Sequence, residues 1–321
     1  MNMKINVGIV GYGNLGKSAE KSILANKKLN LVAIFSRRLV RSTYCTKVEA
    51  YENFKDYIGK IDVMLLCGGS KSDLEIQTPE MAKYFDVINT FDTHKKIPTE
   101  FDKLNKIAKN SGHRVIMSCG WDPGIFSVMR AMFMAIGKND STTFWGKGIS
   151  MGHSDAIRRV NGVKDAVQFT VPNPDAIKLA KAGKLPDDMP RHFRECYVVC
   201  DQKDQARIEC EIKDIPNYFS GQPTTVNFVS PEQLMKLKSK MLHRGEVISS
   251  FKTAQGTKCK MNFSLYMDSN PDFTASVMIS YINAVINLKE NNQTGAFTNL
   301  DIPTSYLFVG KEKENLIKTL C

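Results

Sequence analysis

The chain has 321 residues, of which 42% are hydrophobic and 24% are charged, a composition that fits a folded globular protein and argues against extensive disorder. The formal net charge is +11, from 44 Lys and Arg against 33 Asp and Glu. These basic residues are scattered and partly mixed with acids, so the pattern favours a solvated surface over a nucleic-acid-binding patch.

Cysteine and histidine spacing argue against a disulfide framework and against a metal site. The eight cysteines include no CxxC pair, and Cys67 and Cys119 end apolar runs that are typical of buried strands. The five histidines show no ligand spacing, so we expect no metal. No apolar run has the length of a membrane span and no signal-peptide pattern opens the chain, so we expect a cytoplasmic protein.

The first 120 residues alternate predicted strands and predicted helices. A β-branched run at 5–10, helical spacing at 14–27 and a second apolar run at 29–35 predict a βαβ unit. The remaining predicted elements are strands at 61–66, 86–90 and 115–118 and helices at about 73–85 and 99–110. This order predicts an α/β fold, with a Rossmann-type doubly wound, mostly parallel sheet in a domain over residues 1–120.

Beyond Gly120 the pattern changes to an α+β type. We expect a helix at 125–136, followed by strands of a mixed or antiparallel sheet at 196–200, 224–229, 246–251 and 260–267. These elements predict a second domain over residues 121–297. A helical pattern at 311–320 indicates that residues 298–321 return to the first domain.

The turn between the first strand and the first helix has the spacing of a dinucleotide-binding motif. Its residues are Gly11, Tyr12, Gly13, Asn14, Leu15 and Gly16. In such a turn the first glycine permits the tight bend, the second lets the backbone approach a pyrophosphate, and the third lets the helix pack on the strand. The surrounding strand and helix supply the context that the motif requires, so we expect a nucleotide here.

The end of the second strand predicts which dinucleotide is bound. An NAD enzyme usually has an acid there for the ribose 2′-hydroxyl, whereas this chain has Ser36, Arg37 and Arg38. Guanidinium groups suit a 2′-phosphate, so NADP is preferred to NAD, although two arginines on a solvated loop give the same sequence. The third strand ends in small residues that would also lie beside the cofactor, namely Cys67, Gly68, Gly69 and Ser70.

Two acids follow strands at the sheet edge where ligands bind in open α/β sheets. Asp92 follows the strand at 86–90 and Asp122 follows the strand at 115–118. Both suit an amino-bearing substrate beside a nicotinamide, although each alone also fits a turn or helix cap. Trp121 and Trp145 lie near such turns, as core residues or as walls of a site.

The chain closely resembles meso-diaminopimelate dehydrogenases over nearly its whole length. The residues that carry this resemblance are the GYGNLG turn at 11–16, IFSRR at 34–38, GWDPG at 120–124, FWG at 144–146, GHSDA at 152–156, NPDFTA at 270–275 and GAFT at 295–298. The resemblance implies an NADP-dependent, cytoplasmic homodimer that oxidatively and reversibly deaminates meso-2,6-diaminopimelate at its D-centre, giving L-2-amino-6-oxopimelate and ammonia. It assigns substrate binding and dimerisation to the second domain.

The resemblance also assigns site residues one by one. Those around the D-centre are Asp92, Trp121, Asp122, Ser150, Met151 and Gly152, and those around the distal L-centre are Thr170, Arg194, His243 and Asn270. Asp92 or Asp122 is then the candidate proton acceptor, and Arg194 can hold a carboxylate in a bidentate manner. Judged alone, His243 reads as a surface residue and Asn270 as a turn residue.

Two departures and two alternatives accompany this interpretation. Members of the family often have an acid where this chain has Asn89, and a glycine pair follows the histidine where this chain has Arg244 to Glu246.

One alternative function is an NADP-dependent dehydrogenase of other D-amino acids. Such an enzyme would not need the distal clamp, which is formed by the residues assigned to the L-centre, namely Thr170, Arg194, His243 and Asn270. The other is a non-catalytic NADP sensor, for which the paired aspartates would have no purpose.

Overall fold

The computed structural model describes residues 4–137, 141–239 and 243–321. The chain forms two compact units, the first from residues 4–128 and 271–321 and the second from residues 129–270. Strands and helices are numbered in chain order below.

The strands of the described residues are β1 (Ile5–Val10), β2 (Leu29–Ser36), β3 (Val48–Ala50), β4 (Val63–Leu66), β5 (Asp86–Asn89), β6 (Arg114–Ile116), β7 (Thr142–Trp145), β8 (Gly148–Ile149), β9 (Asp165–Pro172), β10 (His192–Val199), β11 (Thr224–Phe228), β12 (His243–Lys252), β13 (Lys258–Met267) and β14 (Gly295–Phe297). The α-helices are α1 (Asn14–Ala25), α2 (Glu75–Met81), α3 (Ile97–Ser111), α4 (Ile125–Gly137), α5 (Met151–Arg158), α6 (Pro174–Lys181), α7 (Gln205–Asp214), α8 (Pro231–Lys238), α9 (Asn270–Glu290), α10 (Lys311–Glu314) and α11 (Leu316–Leu320).

The first unit contains a seven-stranded sheet in the order β3-β2-β1-β4-β5-β6-β14, with every neighbouring pair parallel. Its first six strands have the order of a dinucleotide-binding sheet, in which the chain reverses direction between β1 and β4. The carboxyl ends of those two strands lie side by side, since Val10 pairs with Leu66. Ligands of such sheets bind outside this point. The parallel strand order confirms the predicted Rossmann-type sheet.

Helices cover both faces of this sheet, as right-handed crossovers require. On one face, Ile23 of α1 and Met278 of α9 belong to the same apolar core as Ile9 and Leu65 of the strands. On the other face, Met81 of α2 and Leu104 of α3 pack with a second set of strand residues. Burial on both faces explains why the strands read as continuous apolar runs.

The chain returns to the first unit earlier than the predicted residue 298. Helix α9 begins at Asn270, and its buried side chains pack under the parallel sheet. Strand β14 then pairs with β6 and completes the sheet edge. Residues 271–297 therefore belong to the first unit because the sheet needs α9 to cover one face and β14 to extend one edge.

Among its described residues, the second unit contains two sheets rather than the one that the sequence predicts. A four-stranded sheet has the order β11-β10-β9-β8, antiparallel except for the β10–β11 pair, and a three-stranded antiparallel sheet has the order β13-β12-β7. Helices α5 and α7 pack on the four-stranded sheet, where Ile157 and Ile208 are fully buried with Val198.

Several element boundaries differ from the predictions by a few residues. The largest change is in the predicted helix at 73–85, where a π-helical turn over Ser70–Leu74 precedes α2, which ends at Met81. All eight cysteines are free thiols. Among the described residues, no helix has both the length and the apolarity that crossing a membrane requires.

Candidate active site

The glycine turn has the geometry that its spacing predicts. Gly11 has φ of +90°, in the region that favours glycine, and a Cβ on Gly16 would lie 2.2 Å from the carbonyl oxygen of Gly11. A Cβ on Gly13 would have no heavy atom within 4 Å. The first and third glycines are thus needed for the turn itself, whereas Gly13 faces open space that a pyrophosphate can approach.

A cavity of about 640 Å³ lies against this turn. The predicted cofactor residues that line it are Gly11, Tyr12, Gly13, Ser36, Arg37, Arg38, Cys67, Gly68 and Gly69, and the lining also includes Tyr51, Asp73 and Gln77. Asn14, Leu15, Gly16 and Ser70 are not among its lining residues. Helix α1 begins beside the cavity with no acidic residue in its first turn, which leaves its positive dipole end available to an anion.

The arginines after β2 have an acidic neighbour that the sequence did not single out. The guanidinium of Arg37 forms an ion pair with Oδ1 of Asp73, and Oδ2 of Asp73 accepts a hydrogen bond of 3.0 Å from the backbone N–H of Gly69. Ser36 is buried, and its hydroxyl accepts from the backbone N–H of Arg38 at 3.1 Å. Ser36 therefore shapes the loop that presents the two guanidinium groups.

A buried carboxylate holds the next part of this loop. Glu20 of α1 is fully buried and accepts hydrogen bonds from the hydroxyls of Tyr12 and Ser42. The Tyr12 hydroxyl in turn accepts from the backbone N–H of Thr43 at 2.8 Å. Through these bonds the glycine turn, α1 and the loop after β2 form one connected network.

The two predicted aspartates follow adjacent strands, β5 and β6. Asp92 is exposed, and its backbone N–H donates to Oγ of Ser70 at 3.0 Å. Asn89, the last residue of β5, is buried, and its side-chain oxygen accepts from the backbone N–H groups of Phe91 and Ser118 at 3.0 and 3.2 Å. The amide that replaces an acid here therefore ties together the two loops that carry Asp92 and Asp122.

In the loop that carries Asp122, the backbone at Gly124 lies close to the backbone at Gly120. A Cβ on Gly124, whose φ is +139°, would lie 1.8 Å from the carbonyl oxygen of Gly120. The indole of Trp121 contacts the ring of Phe126 edge to face, with centroids 5.2 Å apart. Both contacts fix the backbone on either side of Asp122, which is partly exposed.

In the second unit, Arg194 and Thr170 face each other on neighbouring strands. They are paired in register between β10 and β9, and Nη1 of Arg194 donates a long hydrogen bond of 3.4 Å to Oγ1 of Thr170. Nε of Arg194 is buried and has no hydrogen-bond partner among the described residues. Burial lowers the pKa of this guanidinium. A buried donor without a partner is costly, so it indicates a ligand with acceptor atoms.

Trp145 contacts a histidine that sequence reasoning missed. The backbone N–H of Trp145 donates to Nε2 of His192 at 2.8 Å, and the two rings are stacked with centroids 5.1 Å apart. Trp145 as a whole residue remains 37% exposed. His192 and Trp145 are far apart in sequence, and only the approach of β10 to β7 brings them together.

The turn into α5 carries three further predicted residues. The hydroxyl of Ser150 and Nδ1 of His153 are hydrogen-bonded at 2.7 Å, and the backbone N–H of Ser150 donates to the carbonyl of Gln168 at 3.0 Å. Met151 is exposed, and a Cβ on Gly152 would only just reach the ring of Tyr218. Their backbone therefore begins α5 beside β9, the strand that carries Thr170.

His243 and Asn270 do not have the surface and turn roles that each suggests alone. His243 begins β12 and is buried, and its Nε2 donates to the carbonyl oxygen of Ile149 at 3.0 Å. Asn270 is the first residue of α9. His243 also lines a separate cavity of about 940 Å³ with Phe169 and Tyr266, which contains no other predicted substrate residue.

Comparison with known proteins decides the family. Residues 120–269 match the family model described as the diaminopimelic acid dehydrogenase C-terminal domain. The chain is 46% identical over 326 residues to the meso-diaminopimelate D-dehydrogenase of Ureibacillus thermosphaericus, covering 99% of each chain. The chain belongs to the meso-diaminopimelate dehydrogenase family.

Solved structures of the meso-diaminopimelate dehydrogenase family share the fold described above. The complex of Corynebacterium glutamicum DAP dehydrogenase with DAP superposes with a TM-score of 0.93 at 38% identity and covers 100% of both chains. An engineered D-amino acid dehydrogenase bound to NADP+ superposes with a TM-score of 0.88 at 37% identity, over 99% of this chain and 100% of that one. The resemblance inferred from the motifs is therefore confirmed.

For this member of the meso-diaminopimelate dehydrogenase family, sequence reasoning missed Asp73, Glu20 and His192. Asp73 had a visible signal, because it is an acid shortly after the small residues that end β4. Glu20 and His192 had none, since each is defined by a partner from another element.

Proposed function

We propose that this protein is an NADP-dependent dehydrogenase that reversibly converts meso-2,6-diaminopimelate, at its D-centre, into L-2-amino-6-oxopimelate and ammonia, for lysine and cell-wall precursor synthesis in the cytoplasm. Family membership at 46% identity over nearly the whole chain carries this proposal. It is further supported by the related Corynebacterium structure, which holds DAP, and by the engineered relative, which holds NADP+.

The first unit supplies the residues for the cofactor. Open space at Gly13 and an α1 terminus free of acids in its first turn fit a pyrophosphate, and Arg37 and Arg38 at the cavity fit a 2′-phosphate. When bound, the nicotinamide accepts a hydride at its C4. The absence of an acid at the end of β2 is the feature that favours NADP over NAD.

Asp92 and Asp122 are assigned to the D-centre. The substrate ammonium must lose a proton before hydride leaves its carbon, and a carboxylate, directly or through water, can accept that proton. The carbon then becomes an imine, to which water adds with release of ammonia. Trp121 and the backbone at Ser150, Met151 and Gly152 are assigned to walls of the same part of the substrate.

The second unit supplies the residues for the distal amino-acid group. A carboxylate can accept from Nε and from a terminal nitrogen of Arg194 together, which would satisfy the buried Nε–H. Thr170 lies next to this guanidinium. His243 and Asn270 are assigned to the same end of the substrate, and Trp145 is assigned to a wall of the substrate site. Because a monocarboxylate needs no such clamp, these residues favour diaminopimelate over simple D-amino acids.

The decisive experiment follows NADPH formation by the purified protein. The meso, LL and DD isomers of diaminopimelate and D-lysine are offered, each with NADP and with NAD. We expect turnover with the meso isomer and NADP. Cofactor binding without turnover of any of these would favour a sensor, and equal rates with D-lysine would favour a broad D-amino acid dehydrogenase.

Two sets of variants connect the assay to the assigned residues. Asp92→Asn and Asp122→Asn each remove one of the two candidate proton acceptors, and the variant that lacks the acceptor should lower kcat by about two orders of magnitude or more, while Asp102→Asn on α3 should leave it unchanged. Arg194→Met should raise KM for meso-diaminopimelate by about 100-fold and Arg159→Met should not. An Arg194→Met enzyme with wild-type KM would contradict the distal clamp.

We also propose that the protein is a homodimer. Strand β13 pairs only with β12 among the described residues, so its other edge offers ten residues of backbone for pairing, and Tyr266 on it is 73% exposed. Light scattering after size exclusion should give about 72 kDa, twice the chain mass of 36.0 kDa. A mass near that of one chain would refute the dimer.

A further inference from the structure

The proposed function assigns no role to His192. It is the first residue of β10 and is only 7% exposed. Its Nε2 accepts a hydrogen bond of 2.8 Å from the backbone N–H of Trp145, and its ring stacks on the indole at an interplanar angle of 27°. The ring of Phe144 lies on it as well, with centroids 5.9 Å apart. Backbone and ring of Trp145 are therefore both held by one side chain.

The hydrogen bond defines the form of the imidazole. Nε2 carries no proton, because it accepts from an N–H group, so the ring is neutral with its proton on Nδ1. Burial, with the nearby positive charges of Arg194 and Arg191, lowers the pKa of His192 to about 4. The histidine therefore adds no second positive charge beside Arg194 near neutral pH.

The strand places His192 next to the assigned distal clamp. Side chains two residues apart in a strand point to the same face, so His192 and Arg194 share one face of β10, while Phe193 points to the other. Arg194 lies opposite Thr170 on β9. A Cβ on Gly146, the residue after Trp145, would lie 2.0 Å from the carbonyl oxygen of Thr170. The backbone at Gly146, next to Trp145, is thus packed directly against β9, the strand that carries Thr170.

We propose that His192 is a positioning residue for substrate binding, which holds Trp145 on the face of β10 that carries Arg194 and thereby sets the affinity for the distal amino-acid end of the substrate. This inference rests on the proposed function, since it assumes that this end binds at Arg194. His192 acts through Trp145 and Arg194 rather than by contact with reacting atoms.

Two substitutions separate the two contacts of His192. His192→Gln keeps an acceptor oxygen near the position of Nε2 but removes the ring, and His192→Phe keeps a ring but removes the acceptor. We expect His192→Phe to raise KM for meso-diaminopimelate about tenfold, the effect of one lost hydrogen bond, with kcat and KM for NADP within about twofold of the wild type. His192→Gln should restore KM to within about threefold, and Phe193→Leu, on the opposite face, should have no effect.

Tryptophan fluorescence gives an independent readout of the contact itself. The chain has two tryptophans, so Trp121→Phe leaves Trp145 as the sole emitter. In that background, His192→Phe should shift the emission to longer wavelength and increase quenching by acrylamide, and His192→Gln should do so less.

Each outcome bears on the inference. If His192→Phe leaves both the emission and the KM for meso-diaminopimelate unchanged, the inference is wrong. It is also wrong if the variant raises KM for NADP and lowers kcat as much as it raises KM for the substrate, because such changes indicate general damage to the fold. A fluorescence shift with no change in KM for the substrate would also overturn the substrate role. If the wild type does not turn over diaminopimelate at all, the proposed function fails, and the role of His192 in binding fails with it even where the fluorescence contact is present.

Discussion

The guanidinium of Arg37 is paired with the carboxylate of Asp73, and both side chains line the cavity at the glycine turn. An acid at this point opposes the charge of a 2′-phosphate and occupies one of the two arginines assigned to it. Under the proposed function, we therefore expect selectivity for NADP to depend on the balance between Arg37, Arg38 and Asp73 rather than on the arginines alone.

Asp73→Asn should increase the preference for NADP. The amide keeps an oxygen for the Gly69 N–H but loses the negative charge, so Arg37 becomes available to the phosphate. Because the Arg37 side chain is largely exposed, we expect the ratio of kcat/KM for NADP to that for NAD to rise only about threefold. Asp56→Asn, an exposed control outside the cavity, should leave the ratio unchanged. A fall in the ratio would mean that Asp73 helps to orient Arg37.

Alanine substitutions at Gly13 and Gly16 should have different effects, the first on cofactor binding and the second on stability. Gly13→Ala adds a methyl group to open space, so the free energy of unfolding should change by less than about 1 kcal/mol while the Kd for NADP rises by more than about tenfold. Gly16→Ala forces a contact with the Gly11 carbonyl, so unfolding should become easier by about 2 kcal/mol or more. Urea unfolding and NADP titration measure the two effects, and equal destabilisation by both changes would contradict the assignment of Gly13.

Glu20 should stabilise the first unit. Glu20→Ala leaves the hydroxyls of Tyr12 and Ser42 without their buried acceptor, which should cost about 2 to 3 kcal/mol of unfolding free energy. Because the same bonds hold the loop after β2, KM for NADP should also rise. Glu52→Ala, at an exposed position, is the matched control. Full stability in the Glu20→Ala protein would show that the network contributes little.

His192 should make stability depend on pH. Its folded pKa of about 4 lies below the ordinary value of 6.5, so the unfolded chain binds more protons between these values, and stability is lost as pH falls from about 6.5 to 4. The charged groups that oppose protonation are Arg191 and Arg194. Between pH 7 and pH 5 the wild type should lose about 2 kcal/mol more than His192→Phe. Parallel urea-unfolding profiles for the two proteins would refute this contribution.

The geometry of the glycine turn could be predicted because its signal is local. The turn at 11–16 and the residues at 36–38 act through backbone geometry and charge within a few positions, and six of these nine residues line one cavity. The parallel order of the strands likewise follows from the alternation of elements.

Helix α9 was not predicted, although it has 21 residues, because polar residues interrupt its apolar pattern. Asn287 illustrates the cause. It is 1% exposed, and its amide donates to the carbonyl oxygens of Tyr306 and Phe308, each at 3.0 Å. Hydrogen bonds to a later segment of the chain thus allow the burial of a polar side chain that the local sequence pattern assigns to the surface. His243 was misread alone for the same reason, since the sheet around it determines its burial.

The late arrival of β14 has a consequence for synthesis of the chain. The second unit is continuous, whereas the first is completed only when residues 271–321 join the strands made at the start. During translation, strands β1 to β6 therefore have one sheet edge unpaired and one face without α9 until residues 270–297 have left the ribosome. The unit that begins first is the unit that finishes folding last.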